Sequence, residues 1–318
     1  MSAGARLLAV VAIFALLPAL VKSDFILTIL VFSFLLGMLA VSFNLIFGFA
    51  GQLSMFHAAA FGISAYATYL GMTRLGVSFW IATLLASALV MVLSLIVGTI
   101  CFRFRLKEFY FAVVTLAFSE LARLVVLNWD SVTNGTLGII LQNKPTLWLP
   151  GHGVVKLAGT PMWYYVSLIS LALTVLVCWR LVNSWMGRCF AAIRLNDELG
   201  DALGINVFRY KLAAFVAGSM IAAVTGSLYS YYLGSIDPGF LSIDQSLAII
   251  AMVLLGGRSA VAAPIIGALA LTALPHLIEF SAEIRSMVYG SILILTILVM
   301  PQGIYGAVSA LGRRRHAA

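Results

Sequence analysis

The sequence predicts an all-α protein, a polytopic transmembrane bundle of about ten helices, and three observations carry that prediction. Of its 318 residues, 63% are hydrophobic and only 9% are charged, and a mean hydropathy of +1.09 exceeds what a soluble domain can bury. Apolar runs such as FILTILVFSFLLGMLAVSFNLIFGFA (25–50) are long enough to cross about 30 Å of hydrocarbon. These runs lack the alternation of a membrane barrel, and lipid offers the backbone no hydrogen-bond partner, so each crossing must be a helix.

Apolar helices are expected at 7–21, 25–49, 54–71, 78–102, 109–127, 162–183, 213–234, 243–257, 261–279 and 286–307. The first, LLAVVAIFALLPALV, resembles the core of a signal peptide. No small-x-small cleavage site follows in LVKSDF, so a retained helix is expected. The third begins in GQLSMFHAAAFGISAYATYLGM (51–72), rich in small residues and carrying Gln52, Ser54, His57 and Gly62. Small residues let helices pack closely, and polar groups at membrane depth face a protein interior or an aqueous path. These four are the candidates for a translocation path, with close packing the equal alternative. Gly and Pro also interrupt the apolar run at 255–275, and paired interruptions of this kind point weakly to a central pathway.

Charge sets the orientation. Basic clusters stand at Arg103, Arg105 and Lys107, at Arg188, Arg194, Arg209 and Lys211, and at Arg313, Arg314 and Arg315. The positive-inside rule puts all three in the cytoplasm, and the helix count returns each cluster to the same side. Both termini are then expected inside and the polar connection 128–160 outside. The formal charge of +8 is thereby explained by membrane topology, and no nucleic-acid partner is expected. One transmembrane domain, 1–318, is expected to contain a cytoplasmic loop at 188–211.

Catalytic chemistry finds no constellation. Cys101, Cys178 and Cys189 form no C-x-x-C, and the four histidines lack metal-ligand spacing, so no metal or cofactor is expected. Glu120 with Arg123, and His276 with Glu279, are three apart on their helices and read as neutralised structural pairs. The chain has no G-x-x-x-x-G-K-[ST] loop and not one Gly-Lys dipeptide. If ATP drives it, hydrolysis belongs to other chains.

The stretch RLNDELGDALGINVFRYK (194–211) is too polar for lipid and too patterned for a mere connector. Asn196 can cap a helix, Asp197 and Glu198 suit the positive end of its dipole, and Gly204 stands where a helix-ending glycine belongs. Leu195, Leu199, Ala202 and Leu203 share one side of this two-turn helix. So short a helix must pack against something, either its own protein or the membrane surface on spacing alone, or a partner.

The stretch AIRLNDELGDALGINVFRYKLAAFVAGSMIAAVTGSLYSYYLGSIDP (192–238) resembles the cytoplasmic loop and following helix of the permease subunits of bacterial branched-chain amino acid ABC importers, the LivM and LivH type. NLIFGFAGQLSMFHAAAFGISAY (44–66), MVLLGG (252–257) and PQGIYG (301–306) are similar to the same family. The resemblance implies a multi-pass subunit of the bacterial inner membrane, importing branched-chain or other hydrophobic amino acids. Its implied partners are a second permease subunit, two ATP-binding subunits and a periplasmic substrate-binding protein. It also implies that Asn196, Asp197, Glu198, Leu199, Ala202, Leu203 and Gly204 form the element that docks on an ATPase. The chain departs from the family pattern at Asn134, Gly200, Asp201, Arg258 and Ser259, which bears on the substrate more than on subunit type. A urea or short-amide permease of the same family is the near alternative, and an ATP-independent secondary transporter the distant one.

Overall fold

The computed structural model describes residues 12–18, 23–142, 144–149, 153–157, 159–277 and 303–307, with Met287, Gly290 and Ser291. Helix α1 covers 12–18. It is followed by α2 (Asp24–Asn44), α3 (Phe56–Arg74), α4 (Phe79–Arg103), α5 (Glu108–Asn128) and the single turn α6 (Asp130–Thr133). Next come α7 (Thr160–Val182), α8 (Trp185–Leu195), α9 (Asp197–Ala202), α10 (Val207–Leu233), α11 (Ile243–Gly256) and α12 (Ala263–Leu277). Among the described residues, five helices are long and apolar enough to cross a membrane: α2 with its extension to Phe49, α4, α5, α7 and α10.

Where the residues are described, helices form at the expected apolar runs, with two differences of boundary. Helix α10 begins at Val207, so Arg209 and Lys211 lie in its first turns and not in a loop. The run before Asn196 is a helix of its own, α8. The connection 128–160, read from sequence as polar, carries short strands: β1 (Ile139–Ile140), β2 (Thr146–Leu149) and β3 (Gly153–Lys156). Antiparallel pairing joins β2 to β3, and joins β1 to β4 (Ser235–Ile236), just beyond α10. Most of the expected helix 286–307, the Arg313–Arg315 cluster and the side chains of His276 and Glu279 lie outside the described residues.

Helix α3 is held on α10 by the absence of side chains. A Cβ on Gly226 would run into the Phe61 carbonyl and the Ser64 hydroxyl, so glycine lets the two backbones approach. Ser64 Oγ then donates to the Ala223 carbonyl at 2.6 Å, and Thr68 and Ser227 share a hydroxyl pair at 2.7 Å. Interhelical bonds of this kind average about 0.6 kcal/mol in membranes, so backbone packing contributes most of the hold. Helices α11 and α12 use the same device, with Gly267 against the Met252 carbonyl.

Helix α2 ends in a wider π-helical turn, Leu45–Phe49, and the chain then runs extended to Met55. Polar groups on α5 satisfy that irregular backbone: Met55 N donates to Thr115 Oγ1 at 3.0 Å, and Ser119 Oγ donates to the Met55 carbonyl at 2.8 Å. Non-helical backbone at membrane depth requires such partners.

Candidate functional site: a short capped helix and a buried polar knot

Ser184 caps α8 by accepting from Met186 N at 3.1 Å. Cys189, Phe190 and Ile193 then turn inward, Phe190 packing with Leu45, Ala50 and Ala214. Arg194 Nη1 donates to the Gly48 carbonyl at 2.6 Å, tying α8 to the broken end of α2. Burial and the nearby charge of Arg258 lower the Arg194 pKa, with Glu108 acting the other way. An arginine remains protonated there.

Asn196 is extended (φ −165°), and its side chain accepts from Glu198 N at 2.8 Å. This is the predicted N-cap. Helix α9 ends as its glycine demands: Gly204 lies at φ +78°, Gly204 N donates to the Asp201 carbonyl at 2.9 Å, and Ile205 N donates to the Gly200 carbonyl at 3.0 Å. The two bonds make a Schellman ending. Nothing packs on Gly204 within 4 Å.

Two of the three acidic residues face the protein itself. Asp197 binds Lys211 Nζ at 2.5 Å, where the lysine side chain is 5% exposed and the carboxylate 51%. Asp201 pairs with Arg105 at 3.1 Å, both in contact with solvent. Sequence reasoning missed Arg105 and Lys211 as partners. The excess of cations flanking the acidic stretch was the available signal. With these acids paired to cations of the same chain, Leu195 (82% exposed), Leu199 (49%) and Leu203 (66%) stand in solvent beside Ala202 and Glu198. The arrangement is a short helix clamped at its polar edge with its apolar edge uncovered.

The second set of candidates is buried. Gln52, Ser54 and His57 are no more than 4% exposed. The imidazole stands edge-on to Phe43 at 5.2 Å and fills the space left by Gly218. Gln52 Nε2 donates to the Gly51 carbonyl at 3.2 Å and Ser54 Oγ accepts from Phe56 N at 3.2 Å. Gln52 Oε1 and both His57 nitrogens make no hydrogen bond of good geometry. Gly62, further along α3, lies against the Leu241 side chain. The structure thus brings Gln52, Ser54 and His57 near the broken end of α2, and leaves Gly62 at a different contact.

Among the described residues there is no cluster of His, Cys, Asp or Glu able to hold a metal. Five membrane-length helices, small-residue packing and irregular backbone sealed inside the bundle define a polytopic helical transport protein. The chain belongs to the family described as branched-chain amino acid transport system / permease component, whose sequence profile matches residues 25–297. It is 28% identical over 290 residues to the high-affinity branched-chain amino acid permease protein LivM of Escherichia coli K12, covering 84% of this chain and 66% of that one. It is 25% identical over 287 residues to LivH of the same organism, covering 85% and 91%. A probable LivM of Methanocaldococcus jannaschii is 30% identical over 178 residues, covering 55% and 50%. The chain thus spans 66% of the length of the first relative. No solved structure matches it. The relatives are transport permease proteins by name and not enzymes.

Proposed function

We propose that this chain is the permease subunit of an ATP-driven importer for branched-chain or other hydrophobic amino acids. It pairs with a second permease, receives substrate from a periplasmic binding protein and is driven by two ATP-binding subunits at the cytoplasmic face of the inner membrane. The observation that carries the reading is α9: capped at both ends, tied by Asp197 and Asp201, with Leu199 half exposed and Leu203 66% exposed. A six-residue helix built so firmly and left with its apolar edge bare is a docking element. The residues Asn196 to Gly204 are its functional unit.

Motion of α9 reaches the membrane by two ties. Lys211 passes it to α10, and Arg194 passes it through α8 to the turn at Gly48. Gln52, Ser54 and His57 lie beside that turn and are closed off in this conformation. In the reading proposed here they are the hinge about which the path opens, and Gly62 is the close contact that sets the resting position of α3.

The test is recovery of the ATP-binding subunit with permease variants. Leu199→Asp and Leu203→Asp each place a charge in the docking face, where an unpaired carboxylate is costly. Permease abundance should hold while ATPase recovery, substrate-stimulated hydrolysis and uptake fall together. Normal recovery with normal uptake would leave α9 an inert connector. Uptake that survives ATP depletion but not collapse of the ion gradient would favour the secondary transporter.

A further inference from the structure

We propose that the outer end of the chain holds a receiving site for a zwitterionic amino acid, with Arg74 taking the carboxylate and Asp130 the ammonium group. The inference rests on the importer reading above and names the site at which delivered substrate is first held. A cavity of about 690 Å³ opens between the end of α3, α6 and β1, within the ~300–1,000 Å³ usual for small-molecule sites. It lies at the face opposite α9, because α5 runs from the turn that holds Arg105 to the start of α6, about 31 Å of helix.

The walls carry one cation and one anion, and neither joins an ion pair among the described residues. Arg105, Arg123 and Lys211 are each neutralised, by Asp201, Glu120 and Asp197. Arg74 Nη2 donates to the Ser131 carbonyl at 3.1 Å, which holds the guanidinium beside α6 and leaves its other N–H groups for a carboxylate. Asp130 is the first residue of α6, after Trp129, and its carboxylate lies over Gly135, where a Cβ would run into Oδ1.

The rest of the wall is apolar. Leu70, Leu137 and Ile140 line it, and Leu137 and Ile140 are 86% and 80% exposed. The loop that presents them is shaped by left-handed residues: Asn134 at φ 60°, whose Nδ2 donates to the Gly138 carbonyl at 2.7 Å, and Gly138 at φ 69°. A Cβ on Gly138 would stand 2.6 Å from the Ile236 carbonyl, so the loop is pinned to β4. A cation, an anion and an aliphatic wall together match an amino acid with an aliphatic side chain. Urea and short amides carry neither charge and can take hydrogen bonds but no ion pair from these two groups.

A smaller cavity of about 260 Å³ shares Tyr69, Thr73 and Ile140 with the first and reaches Tyr231. Tyr231 lies near the outer end of α10, whose inner end carries Lys211 bound to α9. Substrate outside and the ATPase inside would therefore act on one helix.

The experiment uses the assembled transporter in proteoliposomes, with its binding protein and radiolabelled L-leucine. Arg74→Gln and Asp130→Asn should each lower uptake at least ten-fold, and Arg74→Lys, which keeps the cation, should retain most of it. Recovery of the ATP-binding subunits, and retention of liganded binding protein on the transporter, should match wild type. Unchanged uptake in Arg74→Gln or Asp130→Asn overturns the site. Binding-protein retention that falls in step with uptake also overturns it, assigning the charges to docking of that protein. A wild-type transporter that imports urea but not L-leucine overturns the amino-acid reading itself, and does so before any substitution is made.

Discussion

Lys211 shows how unevenly the two halves of an ion pair can matter. Its side chain is 5% exposed, whereas that of its partner Asp197 is 51% exposed. Asp197→Asn leaves an ammonium buried without a countercharge, while Lys211→Met leaves a carboxylate that water can reach. We therefore expect Asp197→Asn to lower the melting temperature of the purified subunit clearly more than Lys211→Met. Equal effects would mean that Lys211 has another partner. Arg105→Gln removes only a solvent-exposed bridge and should cost about 0–1 kcal/mol. Gly204 adds a purely backbone term: at φ +78° with nothing within 4 Å, Gly204→Val should cost about 1 kcal/mol or more through strain alone. Its visible effect should be loss of ATPase recovery and not loss of the fold. Asn206→Ser is the matched control for a reason only the structure shows. Asn206 Oδ1 accepts from Arg209 N at 3.0 Å, capping α10, and a serine hydroxyl can do the same.

At the scale of elements, α3 against α10 is a contact that admits little change. Gly226→Val would drive a branched side chain into the Phe61 carbonyl and the Ser64 hydroxyl. Backbone cannot move aside as a flexible side chain can, so folded protein recovered from membranes should fall severely. Size-exclusion profiles would show it, and a monodisperse Gly226→Val protein would mean that α3 can shift along α10. Gly62 belongs to the same argument. Sequence alone makes Gly62→Leu a test of passage, but Leu241 lies against that position, so the substitution tests packing. Loss of assembly is expected there, not a blocked but intact permease.

Across the whole molecule, the two faces are separated by the length of α5. Arg105 meets Asp201 at one face, and the β1–β4 pairing closes the other. The positive-inside rule assigns the first to the cytoplasm. Cysteines introduced at Leu203 and Leu137, both well exposed, should then react with impermeant maleimide from opposite sides. Cys101, Cys178 and Cys189 are buried and should add little background. Labelling of both new cysteines from one side would overturn the topology.

By itself the sequence determined the membrane class, the order of the apolar helices that the described residues show, and the caps of α9. Each follows from local chemistry: hydropathy over a span, an Asn that can accept from the turn ahead, a Gly free to take a positive φ. It also marked Gln52, Ser54, His57 and Gly62 as unusual, because polar and small residues at membrane depth stand out against Leu and Val. What they touch was not legible, since the partners lie far away in the chain: Gly218 beside His57, Leu241 against Gly62, Ala223 bonded to Ser64. The same holds for charge. Three acids and four cations around Asn196 say that ion pairs are available, but only the return of α10 past α9 assigns Asp197 to Lys211, and only the α4–α5 turn brings Arg105 to Asp201. Tertiary structure decided which edge of α9 stays exposed and which cation and anion, Arg74 and Asp130, share one cavity, because pairing depends on distance in space and the sequence records only distance along the chain.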